Sequence, residues 1–434
     1  MSVVTRYPTR PLEFWGRMKE LRRSLNRRAW ETRERGGVVV ATQNPPYPLL
    51  AGLGEWARRL YGPYFTVAMR NPEILLQYHE AADARGYPRG EMCSSMHHYM
   101  GELLLGLTTM NPSNGESSPV DVVVEVEFCH SVAKTAQIAG EILGVPHFVL
   151  DVPQEGGEAA IKYVTARLHD AVDFLTRATG KEYHDELLVE AVKNWWEQGV
   201  IIAHICMANQ AVPAPLDFRM LQELRVPSIV GGHLPEVLDY FEEVLAEIND
   251  RVRDGISATG VETARLAYEG EPMFYAESFI PDLCQRYGAV ILGGFTGFSR
   301  GVWDISPEGR WTPAPRFKDT GAVLKSRDDA MEFLARCYVD NRPLYHCAKL
   351  GKKPGEYLHR AFDWKCQGSI LHLDVGCRNQ AAGMLEAEQV LEAHGIATVA
   401  YESSNGDARY FSPHQVTDRL EPFLERLGLR PLED

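Results

Sequence analysis

Residues Val120–Pro153, VDVVVEVEFCHSVAKTAQIAGEILGVPHFVLDVP, decide the fold. The Val-rich run Val120–Phe128 reads as a strand, and Val132–Leu143 follows with helical spacing. A second apolar run, His147–Leu150, then ends in Asp151-Val152-Pro153. Strands alternating with helices predict a parallel, doubly wound sheet. Cys129 sits between the first strand and the helix.

The same alternation extends outward. The first 35 residues read as helical and polar. Val38–Ala41 opens the first lobe, Tyr64–Met69 is a second short apolar run, and Met96–Leu107 is helical. From about 158 to 255 the period changes to that of helices. Trp195 and Trp196 fall in this section, where core packing is their expected role. Strand and helix alternate again after about 260. Ala289–Leu292 ends in Gly293-Gly294, Ser369–Leu373 and Ile396–Ala400 follow, and a last helix lies near Gln415–Leu427. The expected fold class is α/β: two doubly wound parallel-sheet lobes, a helical middle section and a site in the inter-lobe cleft. The expected units are 1–36, 37–157, 158–258 and 259–434.

The net charge is -14, from 45 basic and 59 acidic side chains. That balance argues against a general nucleic-acid binder, whose affinity rests on neutralising phosphates. It leaves room for a local basic pocket. No apolar run approaches the roughly 20 residues that span a bilayer. The basic start carries Glu13 and Glu20 and has no apolar core of a signal peptide. The expectation is a cytoplasmic protein with no membrane contact. The eight cysteines should then be mostly reduced, and they form no CxxC pair.

Three cysteines occupy loop-to-helix junctions. Cys129 and Cys377 each follow a strand, and Cys93 lies just before the Met96–Leu107 helix. Ligands gather at the carboxyl ends of strands in open α/β sheets. Unpaired N–H groups and the helix dipole stabilise an anion there, and thiolate is the metal-binding form. Cys206, Cys284 and Cys337 lie in helical patterns and read as small buried hydrophobes. Cys366 precedes its strand, at the wrong end of the sheet, and Cys347 follows His346 in a loop. A structural zinc site wants four protein ligands, whereas three thiolates suit an iron–sulfur cubane with one open iron. Position alone leaves two readings, a cluster site or three unrelated buried thiols.

Four segments resemble the 2-hydroxyacyl-CoA dehydratase/benzoyl-CoA reductase family. They are GYPRGEMCSSMHHYMG (86–101), the 120–153 stretch, SILHLDVGCRNQAAGMLEAEQVL (369–391) and GIATVAYESSNGDARYFSPHQVTDRLEPFLERLG (395–428). The likeness is strongest to the B-type iron–sulfur subunit of ATP-dependent benzoyl-CoA reductase. It implies that Cys93, Cys129 and Cys377 hold a [4Fe-4S] cluster. It also implies a related three-cysteine partner subunit forming a heterodimer, an ATP-hydrolysing iron–sulfur activator and an acyl-CoA substrate. One-electron chemistry then gives ring reduction of an aromatic acyl-CoA as the first expectation. Loss of a 2-hydroxyl group from a 2-hydroxyacyl-CoA is the alternative, and a non-catalytic electron relay a further one. A zinc-stabilised or cofactor-free α/β binding protein is the remaining reading. The chain carries no GxxxxGK[ST] loop and no GxGxxG after a strand, so ATP use is expected on the partner.

Further candidates surround the cysteines. His97 and His98 are candidate proton sources or donors to a cluster sulfur, or merely a pair in a helix's first turn. Ser94 and Lys134 are candidate binding residues, Lys134 to touch a CoA phosphate or tune the cluster, or else a plain surface lysine on an amphipathic helix. Arg409, with Asp407, is a candidate binding residue or a salt bridge ordering the last loop. Glu127 is a candidate catalytic acid. Glu125 and Glu127 are unusual in a strand, and His130-Ser131 stands where more aromatic character is expected. GGFTGFSRG (293–301) reads as a pocket lining or a surface turn.

Overall fold

The structure is a computed structural model that describes residues 4–59, 71–87, 92–106, 119–224, 226–294, 299–341 and 350–433. Its first sheet contains β1 (Val38–Ala41), β2 (Trp56–Arg59), β3 (Val122–Glu127) and β4 (His147–Asp151), all parallel, in the order β2-β1-β3-β4. The second contains β5 (Ala264–Glu269), β6 (Ala289–Ile291), β9 (Gly368–Asp374) and β10 (Ala397–Ser403), again parallel. Its order, β10-β9-β5-β6, is the first order read from the other edge. Between β6 and β9 a small antiparallel hairpin joins β7 (Trp303–Ile305) to β8 (Trp311–Pro313). The α/β class with two parallel-sheet lobes is as the sequence predicts.

Parallel strands covered by helices on both faces read as unbroken apolar runs. The side chains of β1 are all buried, and β3 is buried to its last residue but one. Register follows from these runs, with Val40 opposite Val122 and Val123 opposite His147. The expected strand at Tyr64–Met69 lies outside the described residues. β2 instead uses Trp56–Arg59, a stretch whose two arginines conceal its role from hydropathy.

Helix ends are set locally. Asn71 accepts from the N–H groups of Glu73 and Ile74 to start the Pro72–Arg85 helix. Ser412 caps the Pro413–Arg426 helix by accepting from Gln415. The His130–Leu143 helix stops at Gly144, whose φ of 66° suits glycine.

The middle section is helical, led by Glu158–Thr179, Asp185–Ala208 and Pro235–Arg253. Asp185–Ala208 runs about 36 Å at 1.5 Å per residue. Leu188, Val192, Trp195 and Trp196 pack into the first lobe's core. Further along the same helix, Ile201, Ile202 and Cys206 join a core shared with Val290 and Leu371 of the second sheet. One helix therefore braces both lobes. The Arg327–Arg336 helix also crosses back, placing Met331 and Leu334 in the first lobe's core. Among the described residues no helix is long and apolar enough to cross a membrane.

Candidate functional site

Chain reversal places a crevice at the carboxyl edge of each sheet, where neighbouring strands lead to opposite faces. The crevices lie between β1 and β3 and between β5 and β9. Cys129 leaves β3 and caps the His130–Leu143 helix; Cys377 leaves β9 and caps the short Arg378–Ala381 turn. The two cysteines thus occupy corresponding positions in two sheets of one topology. Cys93 comes from the β2-to-β3 crossover and caps the Ser94–Leu104 helix.

All three thiols are partly buried. Burial pushes the Cys377 thiol well above its ordinary value, and Cys93, Asp374, Glu271 and Cys129 push it further. Cys377 thus lies within electrostatic reach of both other thiols. The Cys93 thiol is pushed up to about 11, chiefly by burial, with N–H groups of the following helical turn opposing. Cys93 and Cys129 also pack against one apolar cluster beside Phe128. By contrast Cys206, Cys284, Cys337 and Cys366 are buried in cores. Cys347 lies outside the described residues.

The loop holding Cys93 is tied to the second lobe. Ser94 donates its N–H to the Gly376 carbonyl at 3.0 Å. Its hydroxyl donates to Asn405 Oδ1 and accepts from the Ser404 hydroxyl at 2.8 Å and the Gly406 N–H at 3.2 Å. Asp374 Oδ1 accepts from the N–H groups of Gly376 and Asn405, at 2.8 and 3.1 Å. Burial pushes the Asp374 carboxyl up to about 7.

His97 and His98 face inward on the same helix, both fully buried. His79, which sequence reasoning missed, stacks on His97 with ring centroids 5.2 Å apart. His79 Nε2 reaches the Gly406 carbonyl at 2.9 Å. A carbonyl only accepts, so His79 carries its proton there and its Nδ1 accepts from His97 Nδ1, also at 2.9 Å. Burial pushes His79 down to about 4 and His98 to about 3, and it lowers His97. Arg409 closes the seam. It holds Asp407 from the second lobe and reaches Asp83 of the first at 3.0 Å. The structure therefore joins Ser94, His97, His98 and Arg409 in one inter-lobe seam.

Lys134 and Glu127 fall elsewhere. They line an open cleft of about 690 Å³ with His130, Gln137, His147 and Asp151. Lys134 donates to Gln137 at 2.9 Å, and His130 Nδ1 lies 3.1 Å from Glu127. A smaller cleft of about 420 Å³ occupies the corresponding edge of the second sheet, lined by Asp374, Arg378, Glu402 and Tyr410. Four residues of the GGFTGFSRG stretch, 295–298, lie outside the described residues.

Glu125 gains a reason for its place inside β3. Its carboxylate takes the N–H groups of Gln43 and Asn44, which leave β1 at the crevice. Arg58, also buried, holds the carbonyls of Thr42 and Gln43. Arg300 reaches Asn44 Oδ1 at 3.3 Å. This fixed loop was not singled out from sequence, although an acid within a Val-rich strand is the signal that points to it.

The trio sets what it can hold. Among the described residues, no three His, Cys, Asp or Glu side chains converge on a single metal ion. A tetrahedral zinc with Zn–S near 2.3 Å draws its sulfurs to about 4 Å apart. An iron–sulfur cubane is wider and seats each thiolate on a separate iron. Two cysteine-bearing loops joined across the lobes by the Ser94–Gly376 bond, with Cys129 at the neighbouring strand exit, fit that wider group.

One family model and several curated proteins match the chain. Residues 76–427 match the family model described as 2-hydroxyglutaryl-CoA dehydratase, D-component. The chain is 21% identical over 421 residues to the (R)-phenyllactyl-CoA dehydratase alpha subunit of Clostridium sporogenes, covering 94% of each. It is 22% identical over 306 residues to the alpha subunit of (R)-2-hydroxyglutaryl-CoA dehydratase from Acidaminococcus fermentans, covering 69% of this chain and 58% of that one. Lactoyl-CoA dehydratase subunit alpha of Anaerotignum propionicum is 21% identical over 404 residues, covering 86% and 90%.

Proposed function

The chain belongs to the 2-hydroxyglutaryl-CoA dehydratase D-component family, and from that premise we propose that it is the iron–sulfur subunit of an enzyme that dehydrates a 2-hydroxyacyl-CoA. The observation that carries the reading is the backbone bond from Ser94 to Gly376, which joins the residue after Cys93 to the residue before Cys377 across the two lobes. Cys93, Cys129 and Cys377 would hold a [4Fe-4S] cluster. When bound, such a cluster supplies one-electron chemistry at a potential set by charge, hydrogen bonds and exposure.

The chain's own groups bind, orient and exclude water. The seam at Ser94, His97 and Arg409 shuts water out from the side of Cys93. The loop at Gln43 and Asn44, fixed by Glu125 and Arg58, offers a rigid wall for the thioester. The overall change is loss of the 2-hydroxyl and a C3 proton as water, leaving a 2-enoyl-CoA, with no net oxidation. A related partner subunit completes the enzyme, and an ATP-hydrolysing iron–sulfur activator supplies the initiating electron.

The matched family and all three relatives are described as dehydratases. For that reason ring reduction of benzoyl-CoA, the first expectation from sequence, gives way to its alternative. The test is anaerobic purification with iron and sulfide analysis, then turnover with partner and activator on a panel of 2-hydroxyacyl-CoA and aromatic acyl-CoA thioesters. Enoyl-CoA formation is the expected result. Iron-free protein after anaerobic reconstitution would sink the cluster, and reduction of benzoyl-CoA alone would sink the dehydratase.

A further inference from the structure

Two of the three thiols come from different lobes, so their spacing depends on how the lobes dock. A polar contact across that join sits beside both. Ser94 directly follows Cys93, and Gly376 directly precedes Cys377. One backbone bond joins Ser94 to Gly376. A Cβ on Gly376 would come within 2.2 Å of the Ser94 hydroxyl, so only glycine admits this approach. Asn405 then ties the two segments together. Its side-chain oxygen takes the Ser94 hydroxyl, while its own N–H ends on Asp374, the carboxylate that also holds Gly376. Linked buried hydrogen bonds of this kind fix geometry more strongly than the separate bonds suggest.

We propose that Asn405 is a positioning residue that sets the Cys93–Cys377 spacing across the two lobes. This rests on the thiol seat proposed above. It adds a residue that reaches the cluster only through the two cysteine-bearing loops.

The spacing can be read without any cluster. The full chain, metal-free and reduced under anaerobic conditions, is treated with dibromobimane, which fluoresces when it bridges two thiols. Peptide mapping identifies the Cys93–Cys377 bridge. Wild-type protein should form it. Asn405→Ala should slow it about tenfold, the effect of losing roughly one buried hydrogen bond. Asn209→Ala, which removes another buried asparagine, at the end of the Asp185–Ala208 helix, that bonds Leu292 and Leu216, should leave the rate unchanged. If Asn405→Ala does not fold by circular dichroism, Asn405→Ser, whose shorter side chain draws its oxygen back from the Ser94 hydroxyl, replaces it, with about a threefold slowing expected. An unchanged rate in the folded variant, equal slowing in Asn209→Ala, or no bridge in wild type each overturns the proposal. Failure of wild-type chain to take up iron and sulfide would overturn the cluster reading and leave the bridging result standing.

Discussion

The two lobes repeat one strand order and put it to different uses. In the first, β3 ends at Glu127 and Cys129 follows; in the second, β9 ends at Asp374 and Cys377 follows. Shared topology thus delivers two thiols to corresponding crevices. The crossovers differ. The β2-to-β3 connection of the first lobe brings Cys93, His79, His97 and His98 into the seam. The corresponding β6-to-β9 connection brings the β7–β8 hairpin and a helix that packs back into the first lobe's core. The comparison teaches that the repeated sheet fixes where ligands emerge, while the unrepeated crossovers decide what surrounds them.

Buried charge separates the lobes as well. Glu269 in β5 is paired on both oxygens by Arg360 at 2.9 Å, with both side chains buried. Glu125 in β3 leans mainly on backbone N–H groups. Burial pushes its carboxyl up to about 8, against those N–H groups and the Arg58 guanidinium.

The largest expected effect tests the equivalence of the two strand-exit thiols. Cys129→Ser and Cys377→Ser should each abolish iron and sulfide binding, exceeding the roughly 10–100-fold affinity loss of changes one shell further out. Cys206→Ser and Cys284→Ser should retain it. The reverse pattern in iron analysis would break the comparison.

Next in size is the second lobe's ion pair. Arg360→Met takes from the buried Glu269 the guanidinium that pairs both its oxygens, so urea unfolding should show about 3–5 kcal/mol of lost stability. A loss below about 1 kcal/mol would mean that water or another group reaches Glu269.

A third effect concerns pH. The unfolded Glu125 carboxyl releases its proton near 4.5, but the folded one holds it to about 8. The folded chain therefore binds the extra proton between those values, and stability falls as pH rises through them. Glu125→Gln removes this contribution. Its unfolding midpoint should fall less steeply than the wild type's between about pH 5 and 8. Parallel slopes would show that Glu125 is ionised in the folded chain.

How much was legible differs by element. Val38–Ala41, Val122–Glu127 and Ala397–Ser403 announce themselves as short apolar runs. β5, ARLAYE, does not, because hydropathy counts Arg265 and Glu269 as exposed. Both are buried, Arg265 on the carbonyls of Trp364 and Ala211, and Glu269 on Arg360. Arg265 also pairs with nearby Glu262, but these carbonyls and Arg360 lie far along the chain, where no local window reaches. The site divides the same way. Its cysteines stood out by their junctions, but His79 looked like any helical histidine, and Asn405 like part of a turn.

By itself the sequence determined the alternation of strands and helices, the acidic balance and the three junction thiols. These follow from short-range periodicity and from the backbone at strand exits, which local residues set. Only the tertiary structure decided that Cys93 faces Cys377, that Ser94, His97 and Arg409 belong to one seam, and that Lys134 and Glu127 belong to another cleft. Those outcomes depend on how two sheets dock, through contacts between residues hundreds of positions apart.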